Sequence, residues 1–233
     1  MIELDGVSHR YGDRFVLRDV TVRLPERRIG VIGANGSGKS TFARLLNGLV
    51  LPTRGRVTVA GHDTRRDGAA VRRRVGFVFT DPDSQIVMPT VAEDVAFSLR
   101  RLRLRSSERD RRVHEVLDRF DLGDYADQPA HLLSGGQKQL LALASVLVTE
   151  PEVLVCDEPT TLLDLRNSER VAALLRDLQQ QVVLVTHHLD LLGGYDRVLV
   201  VDEGRVVHDG TPVSAVPFYR QLSAGRPADG SAP

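Results

Sequence analysis

The chain has 233 residues, enough for one domain with a sizeable core or one domain carrying a subdomain. Its 31 basic and 31 acidic side chains balance, so net charge gives no ground for a bulk affinity for nucleic acid or acidic lipid. The longest uncharged stretches, such as 139–149, fall well short of the roughly 20 apolar residues of a spanning helix, and any membrane role is expected to be peripheral.

In chain order, the first third alternates short β-rich runs with turns: IELDGVSH, FVLRDVTVRL, RIGVIG and RVTVAG. Between the last two lies a helical stretch from Lys39 to about Leu49. RVGFVF (74–79) is long enough for a buried strand. Residues 91–149 then change character, with helical patterns at 91–103, 107–120 and 135–149 and no convincing strand. EVLVCD, a helix at 166–180, QVVLVT, a short helix and the paired strands RVLVVD and RVVHDG follow. Strands alternating with helices predict an α/β fold with a mainly parallel sheet, an N-terminal antiparallel β subdomain and an inserted helical subdomain at about 90–149. The domain is expected to span 1–222, with 223–233, small and proline-bearing, as a frayed tail. Cys156 sits in an apolar run and reads as a core residue. With one cysteine and no signal peptide, the cytoplasm is the expected compartment.

The strand RIGVI leads into GANGSGKST, which matches G-x-x-x-x-G-K-[ST] ahead of a helix. Residues Gly33, Ala34, Asn35, Gly36, Ser37, Gly38, Lys39, Ser40 and Thr41 are therefore read as a phosphate loop: backbone curling around phosphates, Lys39 reaching the terminal ones, Ser40 holding Mg²⁺. Only Lys39 and Lys138 are lysines in this arginine-biased chain, which makes Lys39 the more informative. In EVLVCDEPTT, Asp157 and Glu158 stand at a strand's carboxyl end, where open α/β sheets bind ligands. Neighbours on an extended chain point opposite ways, so Asp157 is assigned to the metal and Glu158 to the attacking water as general base. His187, after VVLVT, is placed to meet the same phosphates. In LLSGGQKQ, Ser134 reads as the cap of a helix starting at Gly135 and Gly136, a second anion-binding helix start with no phosphate loop of its own.

The combination of GANGSGKST, LSGGQ, VLVCDEP and VTH, in this order and at these intervals, resembles the nucleotide-binding subunits of ABC transporters over roughly 1–222. The resemblance implies a P-loop NTPase core, ATP and Mg²⁺ as cofactors, and a head-to-tail dimer in which Ser134, Gly135, Gly136 and Gln137 contact the partner's ATP. It also implies that Tyr11 stacks on adenine and that Asp164, in TTLLD, belongs to the loop crossing the dimer interface.

FVFTDPDSQIVMPTVAEDVAF resembles the corresponding segment of energy-coupling-factor importers, the vitamin and metal uptake systems. In that family the region forms a groove for a transmembrane coupling protein, with Val91, Val95, Ala96 and Phe97 expected to supply apolar contacts. The family's Mg²⁺-sensing glutamine is replaced by Thr80, leaving Gln85 as a candidate for its role. The arginine-rich segment 100–112 reads as the solvated face of two helices, without aromatic residues for base stacking.

The resemblance implies an ATPase motor subunit on the cytoplasmic face of the membrane, a homodimer working with a transmembrane coupling protein and a membrane substrate-binding subunit. Biotin is the favoured cargo; alternatives are a cobalt or nickel importer, a conventional binding-protein-dependent importer, or a non-hydrolysing regulatory protein, which the intact Glu158 and His187 disfavour. A chromosome-maintenance ATPase would need a long coiled coil between Lys39 and Ser134, which lie only 95 positions apart. A translation factor would carry two such cassettes.

Overall fold

The computed structural model describes residues 1–225. Its strands are, in order, β1 (Ile2–Tyr11), β2 (Arg14–Leu24), β3 (Arg28–Ile32), β4 (Arg54–Val59) and β5 (His62–Asp63), then β6 (Val75–Val78), β7 (Val153–Asp157), β8 (Gln181–Val185), β9 (Arg197–Asp202) and β10 (Arg205–Gly210). They form an antiparallel sheet in the order β2-β1-β4-β5 and a six-stranded sheet in the order β10-β9-β3-β8-β7-β6. In the larger sheet only the β9–β10 pairing is antiparallel, as the alternation of strands and helices predicts.

The apolar strands of the larger sheet carry two interleaved patterns. Ile29, Val31, Val153, Val155, Val183, Val185, Leu199 and Val201 face the antiparallel sheet and the first helix. Their neighbours Ile32, Leu154, Cys156, Val182, Leu184, Val198 and Val200 face a second core shared with the helical subdomain. Successive residues of a strand point to opposite faces, and here both faces are buried, so the strands read as continuous apolar runs. Cys156 is one of these buried residues, and burial pushes its thiol pKa up.

Helix α1 (Lys39–Leu46) packs Phe42, Ala43, Leu45 and Leu46 into the first of these cores. It stops short of Leu49 because Gly48 is left-handed at φ 69° and the Asn47 side chain accepts a hydrogen bond from the Leu49 amide at 2.9 Å. Helix α2 (Gly68–Arg74) was not legible in the sequence, since Val71 is its only buried residue and no apolar stripe marks it. The helical subdomain consists of α3 (Val91–Leu99), α4 (Ser106–Arg119) and α5 (Gly135–Leu147).

The expectation for α3 needs correcting. Val91 and Val95 are fully buried in the core, so of the four expected residues only Ala96 and Phe97 face the surface groove, a 590 Å³ cleft that also involves Met88, Ala92, Val113 and Leu117. The amphipathic stripe of α3 serves the core first, and the groove takes its shoulder.

Helix α6 (Leu165–Asp177) precedes β8, and α7 (Pro212–Ala224) lies across β9 and β10, where Phe218 stacks on His208 at 4.7 Å. α7 runs two residues past the expected boundary at 222, and the remainder of the expected tail, 226–233, lies outside the described residues. The end of α6 is fastened by Arg28, whose guanidinium donates to the carbonyls of Arg176, Leu178 and Gln180. Burial lowers the pKa of this arginine.

Candidate functional site

The loop between β3 and α1 opens into a cleft of about 820 Å³ lined by Gly33, Ala34, Asn35, Gly36, Gly38, Lys39, Ser40 and Thr41. Two of its glycines are sterically required. A Cβ on Gly33 would lie 2.1 Å from the Val201 carbonyl, and one on Gly38 would lie 2.6 Å from that of Val16. Gly38 begins α1 without a side-chain cap, leaving the first-turn amides open to an anion. Lys39 Nζ donates to the carbonyls of Gly33 (2.8 Å) and Ala34 (3.0 Å) across the loop. Burial lowers its pKa, against the pull of Glu158 and Asp157. Ser37 is buried and does not line this cleft; it borders a neighbouring one of about 590 Å³ beside Arg18 and Gly204.

The ends of three parallel strands meet this loop. Ser40 Oγ donates to Asp157 Oδ1 at 2.9 Å, and Thr80 Oγ1 donates to the Asp157 carbonyl at 2.8 Å. Burial raises the Asp157 pKa, opposed by the Ser40 hydrogen bond and Arg44. Glu158 follows directly but does not continue the strand: its φ is 55°, a left-handed conformation, and β7 ends at Asp157. The two carboxylates diverge through this turn rather than through the pleat of an extended chain, as the sequence suggested. Glu158 Oε2 lies 2.5 Å from His187 Nδ1 and accepts from Thr161 Oγ1 at 3.2 Å. Thr80, Glu158, Thr161 and His187 all line the cleft.

Other predicted residues lie elsewhere. Gln85 Oε1 accepts from the Phe79 amide (3.2 Å) and its Nε2 donates to the Ala142 carbonyl on α5 (3.2 Å), so this side chain bridges β6 to α5 and does not line the cleft. Ser134 and Gln137 form a reciprocal capping box at the start of α5, with Ser134 Oγ accepting from the Gln137 amide and Gln137 Oε1 from the Ser134 amide. Ser134 and Gly135 are exposed, and none of residues 134–137 lines the phosphate-loop cleft. Asp164 caps α6 through the Asn167 amide at 2.8 Å. Tyr11 stands at the tip of the β1–β2 hairpin, 49% exposed.

Sequence reasoning missed Thr161, Asp202 and the last turn of α7, whose Tyr219, Leu222 and Ser223 wall the cleft opposite the phosphate loop. Thr161 had a signal, lying three residues beyond Glu158 in the same motif. The α7 residues had none, because only packing brings position 219 to position 33.

The donor set around Ser40 suits a hard cation. A hydroxyl and a buried carboxylate supply two oxygens, and Mg²⁺ is typically held by one or two protein ligands with phosphates and waters completing the shell.

Comparison with known proteins places these residues in context. The family profile for ABC transporters matches residues 17–161. An ABC transporter ATP-binding protein of Deinococcus radiodurans is 59% identical over 95% of this chain and 98% of its own. The biotin transport ATP-binding protein BioM of Rhizobium etli is 45% identical, covering 96% and 99%. The energy-coupling factor transporter ATP-binding protein EcfA1 of Caldanaerobacter subterraneus is 42% identical, covering 84% and 74%. Among solved structures, cbiO1 of Clostridium perfringens, part of the ABC transporter complex cbiONQ, superposes with a TM-score of 0.83 at 31% identity, covering 96% and 94%.

Proposed function

The chain belongs to the ABC transporter family, as an ATPase of energy-coupling-factor type, and from that premise we propose that it drives biotin uptake as a homodimeric motor on the cytoplasmic face of the membrane. The observation that carries the motor reading is the convergence of Lys39, Ser40, Glu158 and His187 on one cleft, with Asp157 buried behind Ser40 and hydrogen-bonded to it. The cargo reading rests on the likeness to BioM and on the segment 80–97. Among the described residues no helix is long and apolar enough to cross a membrane, which suits a subunit held there by partners.

The backbone amides of residues 34–39 and the Lys39 ammonium hold the ATP phosphates, with the ammonium exchanging its loop carbonyls for phosphate oxygens. Mg²⁺, when bound, neutralises phosphate charge; Ser40 and Asp157 are the residues that would hold it, with Thr80 steadying the Asp157 backbone. Glu158 takes a proton from the attacking water. His187 donates from Nδ1 to Glu158, and with a second proton on Nε2 it also donates to a γ-phosphate oxygen. The α5 start at Ser134–Gln137, exposed at Ser134 and Gly135 and not part of its own cleft, serves the ATP of a second copy. Tyr11 supplies the base-stacking ring.

Extraction of the protein from native membranes in mild detergent tests this reading. A small integral coupling protein and a membrane subunit holding biotin are expected to co-purify, and Lys39→Ala should abolish biotin uptake by cells. Co-purification with a conventional permease and an extracellular binding protein, or uptake of cobalt or nickel instead, would remove the biotin assignment while leaving the ATPase.

A further inference from the structure

We propose that His9 is a positioning residue for ATP, acting through Tyr11: it sets the angle of the ring on which the base stacks. The inference rests on the reading of Tyr11 as the base platform.

Tyr11 is the last residue of β1, paired with Arg14 across a two-residue turn in which Gly12 is left-handed at φ 56°. A half-exposed ring at a hairpin tip has many rotamers open to it, and a stacking platform needs one. His9 lies two residues earlier on the same face of the strand. Its ring meets that of Tyr11 edge-to-face, with centroids 4.6 Å apart and planes at 80°.

His9 is itself held firmly. It is 8% exposed, and its Nδ1 lies 3.0 Å from the Leu51 carbonyl. A carbonyl only accepts, so Nδ1 carries the hydrogen and the ring plane is fixed. Its Nε2 is buried without a hydrogen-bond partner among the described residues, so beyond the Leu51 tether the contact with Tyr11 is its one directional interaction there.

The tether also reaches the phosphate side of the site. Residues 51–53 lie on the connection from α1, the helix that begins at Lys39, to β4. Two more bonds fasten β1 to it: the Thr53 amide donates to the Ser8 carbonyl at 2.8 Å, and the Arg10 amide donates to Thr53 Oγ1 at 3.2 Å. The base platform and the phosphate-binding helix are thus joined through His9 and its two neighbours.

The test is calorimetric titration of the full chain with ATP and with inorganic tripolyphosphate, which has no base. His9→Asn keeps a donor for Leu51 and removes the ring; it should weaken ATP about three- to tenfold and leave tripolyphosphate unchanged. His9→Phe keeps a ring but loses the bond to Leu51, so it should recover only part of the ATP affinity lost in the asparagine variant. In a Tyr11→Ala background, His9→Asn should add no further loss. If the asparagine variant does not fold, His9→Leu deletes the ring with an apolar replacement. Equal losses for both ligands, or no loss for ATP while Tyr11→Ala is impaired, would overturn the inference alone. An unimpaired Tyr11→Ala would remove the base-platform reading and the inference with it.

Discussion

Asp157 is under two opposed demands. The cation-holding role proposed for it requires its carboxylate, yet burial among β6, β7 and α1 raises its pKa and favours the neutral acid. A carboxyl whose folded pKa is raised contributes stability below the ordinary carboxylate range and loses it as pH rises through the folded value. At neutral pH, where the unfolded carboxyl is ionised, burying this group therefore costs the nucleotide-free protein stability. Asp157→Asn keeps an oxygen for Ser40 and removes the ionisable carboxyl. It should raise the unfolding temperature of the nucleotide-free protein at pH 7, with the gain shrinking as pH falls into the acid range, while losing the extra stabilisation conferred by Mg²⁺ with ATP. A lower unfolding temperature for the variant at pH 7 would mean that the Ser40 and Arg44 contacts outweigh burial.

At the scale of elements, the loop from Thr80 to Thr90 is the link between the strand ends at the phosphate-loop cleft and the helical subdomain. Its outer end hangs on Asp94 of α3, which is 3% exposed. One carboxylate oxygen accepts from the amides of Val87 (2.8 Å) and Met88 (3.1 Å), and the other accepts from Ser145 Oγ on α5 at 2.8 Å. A short buried acceptor for three donors explains why the second acid of the Glu93–Asp94 pair points inward while Glu93 completes a capping box with Thr90. Asp94→Ala leaves those donors unsatisfied and should cost about 2–4 kcal/mol in equilibrium urea unfolding. Asp94→Asn retains one acceptor for the two amides and should cost less than half as much. A loss below about 1 kcal/mol for the alanine variant would show that water or a shifted loop satisfies these groups.

At the scale of the molecule, the start of α5 and the phosphate-loop cleft offer two helix N-termini that do not meet within one chain. In the dimer proposed above, head-to-tail pairing of two copies would give each its complement. Glu158→Gln should bind ATP, lose at least about a hundredfold in turnover, and sediment at twice the monomer mass when ATP is present. Adding Ser134→Glu to that variant would set a carboxylate against the partner's phosphates in the proposed dimer, and should return it to the monomer mass. If the double variant still dimerised with ATP, the copies would be joining through some other surface.

The sequence by itself determined the phosphate loop, the carboxylates at the end of β7, the capped start of α5 and the alternation that builds the parallel sheet. Each is a local pattern: loop curvature follows from glycines at set intervals, and a strand buried on both faces is apolar throughout. What only the tertiary structure decided was direction and neighbourhood. Gln85 and Thr80, five residues apart, part company because one bonds to Ala142 and the other to Asp157. Val91 and Val95 go inward because α5 covers them, whereas Ala96 and Phe97 remain at the groove. α7 reaches the cleft, and His9 reaches Leu51, through contacts that no spacing in the chain encodes. A side chain's direction is settled by the few hydrogen bonds and apolar contacts open to it once distant segments have packed, so it becomes readable only when they have.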